Sequence, residues 1–173
     1  NTVEVSVSVP DNGFYLDENG LTIRCDDAAV GDTGSIALDG VTAEMYTKRT
    51  YAQLEALVQT DGNFEEAAQS CTSGITALLN TNTVVGLFED MNDFNEPIGH
   101  WDVSAVTTFE WAFDDAWAFD QPLAGWDTSS ATTMRDMFAG ARSFNQPIGH
   151  WDTSQVTDMT TVFAGARLFN QDI

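Results

Sequence analysis

Basic residues are what this chain has least of. Its 173 residues include six Lys plus Arg, of which Lys48 is the only lysine, against 27 Asp plus Glu, for a net charge of −21. Such a field repels nucleic acid and anionic membrane and favours cations, basic partners or solubility in a salty medium. The acids are evenly spread: residues 1–75 hold 13 against 3 basic, and residues 76–173 hold 14 against 3, so acidity belongs to the whole surface and not to a tail. No apolar run approaches the roughly 20 residues that cross a bilayer, which argues against direct membrane insertion. Absent too are a P-loop, a Gly-x-Gly-x-x-Gly turn, a Gly-x-Ser-x-Gly elbow, a zinc-ligand cluster and an EF-hand loop, so no catalytic motif points to an enzyme. No signal peptide opens the chain. It starts NTVEV without an initiator Met and stops at FNQDI inside a repeated phrase, and the expectation is a piece of a longer protein whose targeting signals lie elsewhere.

What the chain does have is aromatic residues and repetition. Five Trp and eleven Phe argue against disorder despite the charge. The phrase FNEPIGHWDVS at 94–104 returns as FDQPLAGWDTS at 119–129 and FNQPIGHWDTS at 144–154. Three columns hold throughout: Phe94, Phe119, Phe144 and Phe169 open the phrase, Trp101, Trp126 and Trp151 follow, and Phe88, Phe113, Phe138 and Phe163 precede it. A fixed period of this length is the mark of units that bury their apolar side only against their neighbours. Within one unit Ile98 to Val103 reads as extended. Val106, Phe109, Ala112, Phe113 and Ala116 have helical spacing, with Ser104, Ser129 or Ser130, and Ser154 placed as helix N-caps. Asn95, Asn145 and Asn170, with Asp120 in the odd copy, suit the return bend.

Ahead of the repeats, Val3, Val5, Val7 and Val9 alternate as in a strand. Asn19-Gly20 and Asp39-Gly40 each sit between short apolar runs as hairpin turns, and TYAQLEALVQ reads as a short helix capped by Thr50. The expected organisation is therefore an N-terminal strand or linker over 1–12, a β-rich cap with one short helix over 13–78, and about three and a half repeats over 79–173. The expected fold class is an α/β solenoid of strand–helix–turn coils, like a leucine-rich-repeat horseshoe.

The repeat FNQPIGHWDTSQVTDMTTVFAGARLFNQDI resembles that of the BspA-like bacterial surface proteins, a variant leucine-rich repeat. The segment from FYLDENGLTIRC to SCTSGIT resembles the region leading into such arrays. This resemblance implies a secreted or cell-surface protein concerned with adhesion or recognition of an extracellular protein or glycan, without fixing the ligand. A structural spacer in a larger surface protein is the alternative. In a cytosolic setting Cys25 and Cys71 would be two inert thiols, whereas in an exported domain they pair.

Candidate binding residues are Trp111, Asp114, Asp115 and Trp117, where the second repeat departs from its neighbours by being more aromatic and acidic. They adjoin Glu89, Asp90, Asp93, Glu96 and Asp120, a cluster whose plain reading is a solvated surface. Asp102, Asp127 and Asp152 form one column after the Trp, either as hydrogen-bonding elements or as a weak calcium ladder. No cofactor is required by these motifs, and calcium is the one the acids would suit. His100 and His150 read as ordinary loop residues, two units apart. The apolar end of the last repeat is a surface for self-association.

Overall fold

The computed structural model describes residues 13–37 and 43–173. Strands β1 (Tyr15–Leu16) and β2 (Ile23–Arg24) form a small antiparallel pair closed by the Asn19-Gly20 turn. Asn19 Oδ1 accepts from the amides of Leu21 and Thr22, which fixes that turn. Strand β3 (Thr33–Ile36) pairs antiparallel with β4 (Glu44–Lys48), with Ile36 opposite Glu44, one position out of the register that a two-residue Asp39-Gly40 turn would set. Its Asp39-Gly40 turn and the N-terminal valine strand lie outside the described residues. Strand β5 (Ser70–Cys71) adds parallel to β4, and β6 (Leu79–Asn80) pairs with β7 (Val85–Gly86).

Thr50 caps α1 (Tyr51–Glu55) through a reciprocal bond with Gln53. The chain then widens into a π-helical stretch, Ala56–Asp61, ends on left-handed Gly62, and resumes as α2 (Phe64–Ala68). Leu54, Leu57, Val58, Ala67 and Ala68 join the large core that runs through the repeats to Ile148. A smaller core of Phe14, Ile23, Cys25, Ala28, Ile36, Tyr46 and Cys71 lies under the strands. The small core thus draws on residues ahead of α1 and on Cys71 of β5, while the helical segment between them turns its apolar face to the repeats. Cys25 and Cys71 are joined as a disulfide.

The expected strand–helix–turn solenoid is not what the repeats form. Among the described residues helix is confined to positions 51–68, the sheets are three small separate ones, and repeat strands shrink to single-residue bridges Ala77–Thr108–Thr133–Asp158. Each repeat is a run of turns instead. Ala112 N–H bonds Phe109 O and Ala116 N–H bonds Phe113 O, while the amides of Phe109, Trp111, Phe113 and Asp115 bond the carbonyls of Thr133, Arg135, Met137 and Ala139 in the following repeat. An α-helix would commit every amide to its own segment. Left-handed backbone at Trp111 and Asp115 interrupts the helical path as well. Val106, Phe109, Ala112, Phe113 and Ala116 are nevertheless fully buried, as expected, since turn corners recur with the same spacing.

The serines do not cap helices. Ser104, Ser129 and Ser154 donate their amides to Asp102, Asp127 and Asp152 two residues earlier. Successive repeats meet through aromatic stacks: Phe88–Phe113 at 5.1 Å, Phe113–Phe138 at 5.3 Å and Phe138–Phe163 at 5.8 Å, beside Phe94–Phe119 at 5.6 Å, Phe119–Phe144 at 6.0 Å and Phe144–Phe169 at 5.9 Å. Asn95, Asp120 and Asn145 accept the amides of Asp120, Asn145 and Asn170 in turn, so each return bend is tied to its successor.

Close approach between repeats limits side-chain size at Gly86. A Cβ there would run into the backbone carbonyl of Trp111. Gly86→Ala is expected to lower stability by about 1 to 3 kcal/mol, the range for overpacking against structure that cannot yield. Urea denaturation of the variant beside the parent checks this, and an unchanged midpoint would refute the close contact.

Candidate functional site

The four residues Trp111, Asp114, Asp115 and Trp117 fall in one turn segment, and the repeat that follows shapes how they are held. Trp117 is 39% exposed. Its indole Nε1 donates to Asp115 Oδ1 at 3.1 Å, and the Arg142 guanidinium lies 3.8 Å from its ring centroid. A cation over the negative face of an indole holds the ring in place. Trp111 is half-buried, with left-handed φ of 53° and with Arg135 6.0 Å from its ring. Arg135 also faces Glu110 at 3.9 Å and Asp136 at 3.3 Å.

Asp114 is half-buried beside these groups. Its own burial, followed by the charges of Asp115, Glu89, Asp136 and Asp90, pushes its carboxyl up to about 6. Like charges crowded at one edge disfavour ionisation, so mildly acidic solution neutralises this position first. Arg135, Arg142 and Asp136 belong to the site but were not singled out from the sequence. The signal was present: Arg142 occupies the column of Trp117 in the next repeat, so aligned columns place one above the other.

Asp102, Asp127 and Asp152 do not act alike. Asp102 is buried and bonds Arg24 at 2.9 Å, together with the amide and hydroxyl of Ser104. Asp127 and Asp152 are exposed, and the Ser154 amide holds the Asp152 carboxyl below the usual carboxylate range. Each carboxylate thus has a donor from its own turn. Among the described residues no group of three or more His, Cys, Asp or Glu is placed to hold a metal ion.

His100 is not an ordinary loop residue. It is buried, its Nε2 lies 3.0 Å from Ala68 O, and the Tyr46 ring meets it edge-on at 5.0 Å. Its backbone carbonyl accepts from Ile23 N–H, so this residue joins the first repeat to both cap and helix. His150, at the same phrase position, is exposed. Burial lowers the His100 imidazole from 6.5 to about 4 even though the Ala68 carbonyl and Glu44 favour its protonated form.

The folded state therefore refuses a proton that the unfolded chain accepts between those two values. Stability is complete above about 6.5 and falls as pH drops towards 4, by roughly 3 kcal/mol at 1.36 kcal/mol per pH unit. Asp114 works in the opposite sense, since its raised carboxyl favours folding as pH falls through about 6. Urea midpoints measured from pH 7.5 to 4.5 should fall for the parent and flatten for His100→Gln in a background carrying Asp114→Asn. A parent with no acid limb in that same background would contradict the buried neutral imidazole.

Residues 59–173 match the family model described as a Mycoplasma protein of unknown function, DUF285. No curated protein and no solved structure matches the chain. Among the described residues no helix is long and apolar enough to cross a membrane.

Proposed function

The chain belongs to the DUF285 family, and on that footing we propose that it is a recognition and adhesion module of the BspA-like kind, secreted or on the cell surface, binding an extracellular protein or glycan through the turn edge around Trp117. The observation that carries this reading is the exposed Trp117, held between Arg142 and Asp115. A fixed aromatic offers contact area at little cost in side-chain entropy, and Trp is enriched where interfaces concentrate their energy. The Cys25–Cys71 disulfide supports an oxidising compartment. The spacer reading is supported by the aromatic stacks running through every repeat, which resist bending between units.

Trp111→Ala combined with Trp117→Ala separates the two. A recognition module binds a defined glycan or peptide class on arrays, and the double variant loses at least tenfold in affinity while melting within a few degrees of the parent. A parent that binds nothing while folded supports the spacer, and undiminished binding by the double variant moves recognition off this edge. Repeating the array in EDTA assigns or removes calcium.

A further inference from the structure

We propose, resting on the tryptophan edge as the recognition surface, that its ligand is an acidic polysaccharide whose uronic-acid carboxylates are held by Arg142 and Arg167 beside Trp117. The three residues share one column of the repeat, 25 residues apart. Ring columns step by 5.3 to 6.0 Å from the second repeat to the fourth, so an aromatic platform is followed by two arginine positions at one-layer intervals.

These two arginines are the cations that the fold leaves unspent. Of the six basic residues, Arg24, Arg49 and Arg135 pair with carboxylates, and Lys48 Nζ donates to the carbonyls of Cys25 and Asp26. Among the described residues no carboxylate and no hydrogen-bond acceptor meets the guanidinium of Arg142 or of Arg167. Arg142 is half-buried over the Trp117 ring, and Arg167 is exposed. A cation over an indole needs none of its fork of N–H donors, which stays open to a carboxylate. Like charges one layer apart repel, and a polyanion laid along the column relieves that repulsion.

The second observation is an exchange of acids for small residues along the same edge. The first two repeats place Glu89, Asp90, Asp93, Asp114 and Asp115 there, whereas the third and fourth read Ala139-Gly140-Ala141-Arg142 and Ala164-Gly165-Ala166-Arg167. Asp136 of the third repeat is spent on Arg135 and on the Thr161 hydroxyl. The edge thus changes sign between its second and third layers, within a chain of charge −21. Fields are screened over about 8 Å at physiological ionic strength, so a docked carboxylate answers to the arginines it touches before the net charge. The exposed part of the indole favours a sugar over an acidic peptide. It offers an apolar face to the C–H side of a ring, and rigid rings present their carboxylates with less to order than Glu side chains have.

The test is an NMR titration of the whole chain with hexamers of galacturonate and of mannuronate, with the fully methyl-esterified galacturonate hexamer and with hexaglutamate. At least one uronate is expected to bind saturably and to shift Trp117, Arg142, Ser143 and Arg167. The ester keeps the rings and removes the charge, and should bind at least tenfold more weakly. Arg142→Gln combined with Arg167→Gln should lose at least tenfold in uronate affinity while melting within a few degrees of the parent. No saturable shift with either uronate overturns the proposal, as does undiminished binding by the arginine variant or equal binding of the ester. Hexaglutamate binding as tightly as the uronates overturns it too, in favour of an acidic peptide. Array binding that falls with the tryptophan variant but survives the arginine variant keeps the edge and removes its assignment to acidic glycans, whereas array binding that survives the tryptophan variant removes the edge itself.

Discussion

Replacing Trp126 by Ala will lower the stability of the chain by about 3 to 5 kcal/mol, the range for emptying a large buried aromatic site. Trp126 is 3% exposed, and its ring lies 5.8 Å from Phe109, 6.0 Å from Phe113 and 6.2 Å from Trp151. Its Nε1 donates to Ile98 O at 3.0 Å, so truncation also removes one of the two hydrogen bonds which that carbonyl of the preceding repeat accepts, leaving it the Trp101 amide. Neither loss is repaired by collapse, because the backbones on both sides are bonded to one another at alternate residues. For a chain of this size the melting temperature should fall by roughly 6 to 20 °C. Trp117→Ala, by contrast, should change it little, since that ring is largely outside the core. If the two variants melt alike, the repeats are not stacked around Trp126.

Removing the disulfide will have a similar effect by another route. Cys25 and Cys71 are separated by 46 residues, and tying such a loop in the unfolded chain stabilises the fold by about 4 kcal/mol on the chain-entropy estimate. The native surroundings hold little else to replace it. Both cysteines are fully buried in a core to which seven of the described residues contribute, and the strand pairs around it are two to five residues long. A Cys25→Ala, Cys71→Ala protein should unfold at lower denaturant, and the small core should open before the repeats. Two transitions, with exchange of the Tyr46 and Ile23 amides ahead of the Phe113 amide, are the expected signature. An unaltered single transition would mean that the cap is held by its contacts with the first repeat alone, chiefly the Ile23–His100 and Arg24–Asp102 bonds.

The columns of the repeat were the most legible feature of the sequence. Every one of Phe88, Phe94, Phe113, Phe119, Phe138 and Phe144 is fully buried, because a position that recurs once per repeat faces the same environment in each layer. The Thr50 cap and the Asn19-Gly20 hairpin were legible for a local reason, since both depend on side chains bonding nearby backbone. The conformation of the 104–116 segment was not. Its apolar spacing is common to a helix and to a chain of turns, and what separates them is whether an amide finds its acceptor one helical turn back or in the next repeat. Positive φ at Asp90 and Asp115 has a clue in Gly140 and Gly165, which occupy the same column, whereas the column of Trp111, Asp136 and Thr161 holds no left-handed glycine. The four candidate residues are picked out by composition and lie together because they are close in sequence, whereas Arg142 over Trp117 required alignment across layers. His100 was misread because its burial comes from Ala68 and Tyr46, which are distant in sequence.

Everything proposed for the tryptophan edge rests on its being a turn carried by the next repeat. The most direct test is a through-hydrogen-bond NMR coupling experiment on the second repeat. The Phe113 amide nitrogen should couple to the Met137 carbonyl carbon, and the Trp111 nitrogen to the Arg135 carbonyl. Couplings from Phe113 to Phe109 and from Asp115 to Trp111 would instead report a helix, and would contradict both the layered turns and the placement of Arg142 over Trp117.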